Sequence, residues 1–328
     1  MKKIESVNIV FIICLTILSA GLLACDATGC DCPDIGNGER TIDPIVTTDW
    51  LSENLTTEGL VILDVRYQDD YDQGHIPGSV NEPCESPYSA WLTMRDDLLL
   101  EIPDEADLFD TLGNLGIQAD SKVVIVTAPN DGEIAHYGLA NATRVASTLF
   151  YAGIVDVAIL DGGYSKWEAE NREISTAITT AEAVTYDGNV YDDVLVSTEY
   201  VKNHLSSAIL IDARDTDVYF GITLEFWANN KLGHINGAAS LPTPWIWDNV
   251  EGSVYTYKGD DTLLTMARNI AGTPSNQEII VYCGVGGYAS SWWYVLTQIL
   301  GYTNVKFYDG GIQEWALYYN TVSYKWQL

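Results

Sequence analysis

Short apolar runs alternate with amphipathic stretches along most of the chain, and the whole pattern occurs twice. In the first copy an apolar run at residues 60–63 leads into Asp64-Val65-Arg66, and in the second a run at 208–211 leads into Asp212-Ala213-Arg214. A further apolar run follows in each copy, at 122–127 and at 278–282. Short continuous apolar runs that alternate with helical stretches predict a parallel sheet covered by helices on both faces.

The two copies also share landmarks at matched spacing, which favours duplication of one unit. These landmarks are a Gly-His-Ile turn, a glycine at the end of a helical stretch, an Asp-Gly-Gly turn eight residues later and a tryptophan four residues after that turn. In order, they are Gly74-His75-Ile76, Gly153, Asp161-Gly162-Gly163 and Trp167 in the first copy, and Gly233-His234-Ile235, Gly301, Asp309-Gly310-Gly311 and Trp315 in the second. Asp64 and His75 are 11 positions apart, whereas Asp212 and His234 are 22 apart, so the second copy carries an insertion of 22 − 11 = 11 residues.

These patterns predict an α/β protein with two tandem domains, each a central parallel sheet flanked by helices. Thr47 and Ser197 are expected to begin the first helix of each copy, because hydroxyl side chains favour the N-cap position. We place the first domain at residues 41–180 and the second at 181–328. A chain of 328 residues has the length expected for two domains.

The charge of the chain restricts the classes of partner. Lys and Arg number 16 and Asp and Glu number 46, which gives a net charge of −30. A nucleic-acid binder needs a basic face to contact phosphates, and a protein that docks electrostatically on anionic lipid needs one too. We therefore expect no nucleic-acid partner, and a membrane association only through a covalent anchor. The four histidines and six cysteines have no paired metal-ligand spacing, so we predict neither a metal site nor a cofactor.

The first 24 residues have the features of an export signal. Lys2 and Lys3 precede an apolar stretch from Val7 to Ala24, and Cys25 follows directly. This junction resembles a bacterial lipobox, in which the cysteine is lipidated and becomes the new N-terminus. The expected product is an exported cell-envelope lipoprotein on the periplasmic or outer-surface side of a bacterial membrane; plain secretion and a retained anchor are the alternatives.

Residues 25–40 are poor in apolar side chains and predict a flexible tether. Cys30 and Cys32 in this segment could form a strained disulfide, a weak metal pair or neither.

Cys283 is the candidate nucleophile. It follows the apolar run 278–282 and precedes Gly284-Val285-Gly286-Gly287-Tyr288 and a helical stretch from Ala289 to Leu300. A glycine-rich loop can turn several backbone N–H groups towards one point, and a helix N-terminus adds partial positive charge. Both effects favour a thiolate, so we expect the pKa of Cys283 to lie below the free value of ~8.5. The alternative is a buried structural cysteine in a glycine turn.

These segments resemble the rhodanese family, specifically its tandem-domain sulfurtransferases, over roughly residues 45–320. The resemblance rests on the Asp-x-Arg, Gly-His-Ile, Cys283-Gly-Val-Gly and Asp-Gly-Gly segments with Trp315. It implies an active site in the cleft between two α/β domains. It also implies a ping-pong reaction in which Cys283 takes a sulfane sulfur from a small donor anion, becomes a persulfide and passes the sulfur to cyanide or a thiol.

Within this resemblance the first copy is expected to be catalytically silent. Aligning Thr127 with Tyr282 places Ala128 opposite Cys283, and Cys84 is interpreted as a buried or incidental thiol. The neutral Gly284 and Val285 favour 3-mercaptopyruvate over thiosulfate as the donor, although other positions depart from the family pattern.

Arg214 is the best candidate to bind the donor, and Lys231 is a weaker one. The alternative for Arg214 is an ion pair within its own domain, because Arg66 has the same Asp-x-Arg motif in the silent copy.

Two rival functions follow from the same residues. A phosphatase of this fold would need an arginine six positions after the cysteine, and that position is Ala289. A non-turnover carrier of sulfur or selenium, or a redox-binding module, stays an alternative, since it would use the same cysteine without completing a catalytic cycle. We expect the protein to be a monomer.

Overall fold

The computed structural model describes residues 40–324. The signal segment, most of the tether, Cys25, Cys30 and Cys32 lie outside the described residues. Within the described range, no helix is long and apolar enough to cross a membrane.

The first copy is built on a five-stranded parallel sheet with strand order β1-β7-β6-β2-β3. Its strands and helices, together with the β4–β5 hairpin, are β1 (Ile45–Val46), α1 (Thr48–Asn54), β2 (Leu60–Asp64), α2 (Gln68–Gln73), β3 (Val80–Asn81), β4 (Thr93–Arg95), β5 (Leu98–Glu101), α3 (Glu105–Asn114), β6 (Lys122–Val126), α4 (Ala135–Tyr151), β7 (Val157–Leu160) and α5 (Gly163–Ala169). The central strands are apolar and buried because helices cover both faces of the sheet.

The second copy repeats this order around a four-stranded parallel sheet, β13-β12-β8-β9. Its strands and helices, with the β10–β11 hairpin, are α6 (Thr198–His204), β8 (Ile209–Asp212), α7 (Thr216–Tyr219), β9 (Ala239–Ser240), β10 (Trp247–Glu251), β11 (Val254–Tyr257), α8 (Asp260–Ala271), β12 (Ile279–Tyr282), α9 (Gly287–Tyr294), β13 (Val305–Tyr308) and α10 (Gly311–Tyr318). A parallel bridge between Leu195 and Phe307 takes the place that β1 has in the first sheet.

The expected helix starts and the α/β class are confirmed. The Thr47 hydroxyl accepts a hydrogen bond from the Trp50 N–H at 3.1 Å, and the Ser197 hydroxyl accepts one from the Tyr200 N–H at 3.2 Å. Each cap satisfies a backbone donor that the first turn of a helix leaves free. The helix predicted from Ala289 begins two residues earlier, at Gly287, and continues beyond Tyr294 as a π-helical turn at Val295–Ile299.

The two copies exchange contacts in a pseudo-symmetric way. The Asp309 carboxylate accepts the backbone N–H of Ile102, just after the first hairpin, at 2.9 Å. The matching Asp161 carboxylate accepts the N–H of Tyr257, at the end of the second hairpin, also at 2.9 Å. Helices α4 and α9 pack on each other, with the Thr143 hydroxyl 2.8 Å from that of Ser291. These contacts hold the carboxyl ends of the two sheets next to a shared cleft.

Candidate active site

Cys283 directly follows β12, at the carboxyl edge of the second sheet. β12 pairs with β8 on one side and with β13 on the other, so the residue after it emerges at the middle of this edge. Ligands of open parallel sheets bind at the carboxyl ends of the strands. The backbone N–H groups of Val285, Gly286 and Ala289 donate towards the Cys283 sulfur. The predicted ring of backbone donors is therefore present.

Gly286 is the glycine that this turn requires. Its φ is +90°, and an added Cβ atom would lie 2.6 Å from Asp309 Oδ1 and 2.8 Å from Arg144 Nη1. Gly287 differs, since its φ is not positive and an added Cβ atom would meet nothing within 4 Å. The turn therefore requires a positive φ at Gly286 but not at Gly287, which already belongs to α9.

The expected low pKa of Cys283 is not found. Cys283 is only 3% exposed, and burial raises the pKa of its thiol to about 11. The three backbone N–H groups lower this pKa and the Glu225 carboxylate raises it, but loss of solvation is the largest effect. Removal from water destabilises the Cys283 thiolate by more than the three neutral N–H donors stabilise it.

Arg214 is held by its own domain. Its guanidinium donates to both Asp212 oxygens, at 2.9 and 2.6 Å, to Glu225 Oε2 at 2.9 Å and to the Gly233 carbonyl at 2.8 Å. Four of its five N–H groups are thus used. Arg66 pairs with Asp64 and the Gly74 carbonyl in the same way in the first copy. The intradomain ion pair is therefore present, and donor binding by Arg214 stays a prediction.

Glu225 is a charged residue of the site that the sequence did not reveal. It lies in the insertion between Asp212 and His234, which folds back onto the cysteine loop. An added Cβ atom at Gly284 would collide with the Trp227 indole nitrogen and would lie 3.2 Å from Glu225 Oε1. Burial raises the pKa of the Glu225 carboxyl, although Arg214 opposes this shift. The spacing of the motifs signalled an insertion but not where it would pack.

The cleft between the copies contains a cavity of about 370 Å³ that reaches Cys283. Aromatic side chains from both copies contribute to its wall, and Tyr137 of the first copy stacks on Tyr288 of the second with ring centroids 5.0 Å apart. The lining residues include Tyr67, Cys84, Leu99, Leu100, Tyr137, Asn141, Arg214, Glu225, Phe226, Trp227, Cys283, Gly284, Val285, Gly287 and Tyr288. The interdomain cleft implied by the resemblance is therefore present.

The counterpart of Cys283 in the first copy is Thr127, not Ala128. Asp64 pairs with Val126 in register, as Asp212 pairs with Tyr282. The Thr127 carbonyl accepts the N–H of Tyr164, and the Cys283 carbonyl accepts the N–H of Ile312, both at 2.8 Å. The alignment expected from the sequence is thus wrong by one residue. Threonine carries a hydroxyl at this position in place of a thiol, and the Thr127 hydroxyl donates to the Gly138 carbonyl at 2.7 Å.

His234 and Lys231 are held by contacts outside the cavity, whereas Cys84 is buried beside it. His234 stacks on Tyr219 and does not line the cavity. Lys231 donates to the Ala316 and Tyr319 carbonyls at 2.7 Å each, at the end of α10, and it does not line the cavity either. Cys84 is buried as expected, and burial raises its pKa to about 12, but it also lines the cavity.

A buried ion pair from the first copy supports the cysteine loop. Arg144, on α4, pairs with Asp309 of the second Asp-Gly-Gly turn and donates to the Leu100 carbonyl. Asp309 and Arg144 are the groups that an added Cβ atom at Gly286 would meet. The first copy thus forms part of the support for the loop as well as one wall of the cleft.

Comparison with known proteins agrees with this geometry. The rhodanese-like domain family matches residues 47–170 and 197–318, so the chain belongs to this family. A Mycobacterium leprae protein named "Putative thiosulfate sulfurtransferase SseA" is 32% identical over 85% of this chain and 88% of its own length. The Thermus thermophilus sulfur carrier protein TtuD is 27% identical over 83% of this chain and 93% of its own.

The fold is also that of solved relatives. The crystal structure of Escherichia coli SseA, a 3-mercaptopyruvate sulfotransferase with the rhodanese fold, has a TM-score of 0.65 at 25% identity and covers 82% of this chain and 99% of its own. The tandem fold, the cysteine site and these relatives define the chain as a sulfurtransferase of the rhodanese type.

Proposed function

We propose that Cys283 accepts a sulfane sulfur from 3-mercaptopyruvate or thiosulfate and passes it to cyanide or a thiol. The observation that carries this proposal is the position of Cys283, between a strand end and a helix start, facing three backbone N–H groups inside the interdomain cavity. These donors suit a sulfur anion that forms after the transfer, because preorganised N–H groups stabilise charge that develops in a buried site.

The two half-reactions balance without a cofactor. The Cys283 thiolate attacks the sulfane sulfur of thiosulfate, the S–S bond of the donor breaks, and sulfite leaves with the electron pair. With 3-mercaptopyruvate the C–S bond breaks, and the carbon takes a proton to give pyruvate. The acceptor then attacks the outer sulfur of the persulfide and restores the Cys283 thiolate.

The cavity favours 3-mercaptopyruvate as the donor. Val285 and the loop glycines carry no charge, and Arg214 keeps only one unused N–H group for an anion. A single carboxylate needs less compensation than a dianion when it leaves water. We therefore expect kcat/KM for 3-mercaptopyruvate to exceed that for thiosulfate by about tenfold or more.

The test is a donor panel on protein lacking residues 1–25, followed by mass spectrometry of the cysteines. Cys283→Ser should form no persulfide with either donor, while the matched Cys84→Ser should retain most of the activity. Faster turnover with thiosulfate would reverse the donor assignment. An active Cys283→Ser protein would contradict the proposal itself.

The same assay separates an enzyme from a non-turnover carrier. An enzyme releases many equivalents of thiocyanate when a donor and cyanide are both present. A carrier of sulfur or selenium would release no more than one equivalent for each Cys283.

We also propose that the protein is exported and tethered by lipid at Cys25, on the periplasmic or outer-surface side of a bacterial membrane. A second proposal is that the protein acts as a monomer. The charged start, the apolar stretch to Ala24 and the Ala24-Cys25 junction support the anchor. A single chain supplies both walls of the cavity, which supports a monomer as the active unit.

A further inference from the structure

The charge around the active-site cavity is negative, although the expected donors are anions. Arg214 is the only cation among the described residues that line the cavity. It is paired with two carboxylates, Asp212 and Glu225, so this group carries one positive and two negative charges. Asp215 lies close enough to raise the pKa of Tyr137 and Tyr288, which face each other in the cavity wall.

The wall of the cavity is suited to a cation. Five aromatic side chains line it, two of which, Tyr67 and Tyr137, come from the first copy, while Phe226, Trp227 and Tyr288 come from the second. Phe226 lies edge-on to Trp227 with ring centroids 4.5 Å apart, and Phe226 is 78% exposed. Aromatic faces attract ammonium groups, and cages of such faces bind quaternary ammonium ligands.

The insertion supplies both a negative charge and aromatic rings to the cavity wall. Glu225, Phe226 and Trp227 are consecutive, and all three lie in the segment that lengthens the second copy between Asp212 and His234. Glycine at position 284 permits this segment to pack on the cysteine loop, as the collision expected for a Cβ atom there shows. The added segment therefore places a carboxylate and two aromatic rings in the wall of the cavity that contains Cys283.

We propose that the physiological sulfur acceptor is a small organic thiol that carries an ammonium group, held by Glu225 and the aromatic wall. This inference rests on the proposed function, since it requires a Cys283 persulfide. The overall charge of −30 attracts such an acceptor electrostatically.

The transfer balances with the thiol alone. The thiolate of the acceptor attacks the outer sulfur of the persulfide, and the bond between the two persulfide sulfurs breaks with its electron pair going to Cys283. The proton released by the acceptor thiol is then available to Cys283, so the products are an acceptor persulfide and a free thiol on the enzyme.

The experiment compares three thiols that differ in charge: thiocholine, 2-mercaptoethanol and 3-mercaptopropionate. The enzyme is first loaded with inorganic polysulfide, and persulfide loss from Cys283 is followed by mass spectrometry. Each rate is divided by the rate of the same thiol with polysulfide in solution, which removes differences in intrinsic reactivity. We expect the cationic thiol to be at least ~10-fold faster than the anionic one after this correction, and choline to compete with thiocholine only.

Three variants assign the preference to residues. Glu225→Gln leaves Arg214 with Asp212 alone and should lower the cation-to-anion rate ratio at least ~10-fold; the ratio cancels any change in Cys283 itself. Phe226→Ala should raise KM for thiocholine several-fold and leave that for 3-mercaptopropionate nearly unchanged. Glu168→Gln, an equal charge change at the exposed edge of the first copy, should leave the ratio unaltered.

The outcomes separate this inference from the proposed function. If Cys283 loads with sulfur but treats the three thiols alike, or prefers the neutral or the anionic thiol, the acceptor inference is wrong while the sulfurtransferase proposal stands. An unchanged ratio in Glu225→Gln would overturn the role of that carboxylate. If no donor, including polysulfide, loads Cys283, the proposed function itself fails.

Discussion

At Cys283, burial raises the pKa of the thiol and the backbone N–H groups lower it. Because the pKa is raised to about 11, the thiol is neutral in the resting protein near pH 7, and the thiolate fraction rises about tenfold with each pH unit below that value. We expect the alkylation rate of Cys283 to increase with pH beyond 9 without a plateau near the free value of ~8.5. Measurement of iodoacetamide labelling against pH checks this.

Two variants test which groups determine the pKa of the Cys283 thiol. Glu225→Gln should shift the labelling curve to lower pH, since the Glu225 carboxylate raises the pKa of Cys283. His234→Ala should leave the curve in place, because the imidazole stacks on Tyr219 and donates from Nδ1 to the Tyr219 carbonyl, outside the cavity. A plateau near pH 8.5 in the wild type would contradict the raised pKa of Cys283. A curve displaced only by His234→Ala would show that an imidazole controls the thiol.

At the scale of the elements, the turn from β12 into α9 depends on one glycine and tolerates change at the next. Gly286→Ala forces a side chain into φ +90° and against Asp309 and Arg144, whereas Gly287→Ala adds a methyl group with no neighbour within 4 Å. A left-handed residue costs roughly 1–2 kcal/mol even without a collision. We expect persulfide formation to fall at least ~10-fold in Gly286→Ala and little in Gly287→Ala, as measured by single-turnover loading. Equal loss in both variants would contradict this account.

The sequence predicts which strands and helices exist more accurately than it predicts how the residues of the two copies correspond. Continuous apolar runs identify the buried strands, and the hydroxyls of Thr47 and Ser197 identify the first helix of each copy, because both signals are local. The counterpart of Cys283 was missed by one residue, since the run 122–127 extends one position beyond its strand, and only the hydrogen-bond register shows that Thr127 follows the strand.

Contacts between distant segments are the part that local pattern cannot supply. Glu225 reaches Arg214 because the insertion folds back, and Arg144 reaches Asp309 because α4 packs against the other copy. No regular spacing or periodicity in the sequence indicates either of these two ion pairs. The candidate nucleophile was predictable because a strand, a glycine loop and a helix follow one another within a few residues, whereas its desolvation depends on both copies.

At the scale of the whole molecule, the proposed lipid anchor at Cys25 would hold the protein at a membrane. Replacing Cys25 with alanine should remove lipid labelling, since it removes the thiol that would carry the lipid, and the protein should leave the membrane fraction. Metabolic labelling with a fatty-acid analogue and fractionation measure both. Membrane retention without labelling in the wild type would indicate an uncleaved apolar anchor instead.

The contact between the two copies should make the stability of the molecule depend on pH. Burial raises the pKa of Glu101 to about 8, with Asp309 and Glu314 adding to the shift and Arg144 and Arg95 opposing it. The folded protein then binds a proton that the unfolded chain has lost above pH ~4.5. Stability from this group is therefore complete below pH ~4.5 and declines as the pH rises to about 8, by up to a few kcal/mol at ~1.4 kcal/mol per unit. The melting temperature should fall across this range.

Glu101→Gln tests this directly, because an amide has the size of the protonated carboxyl and cannot ionise. Its melting temperature should vary less between pH 5 and 8.5 than that of the wild type, and the two proteins should differ most at the alkaline end. Glu105→Gln removes the same charge from an exposed position of α3 and should keep the wild-type slope, which accounts for the general repulsion in a chain of net charge −30. If the slopes of Glu101→Gln and the wild type coincide, the proton at the contact between the copies does not set the pH dependence.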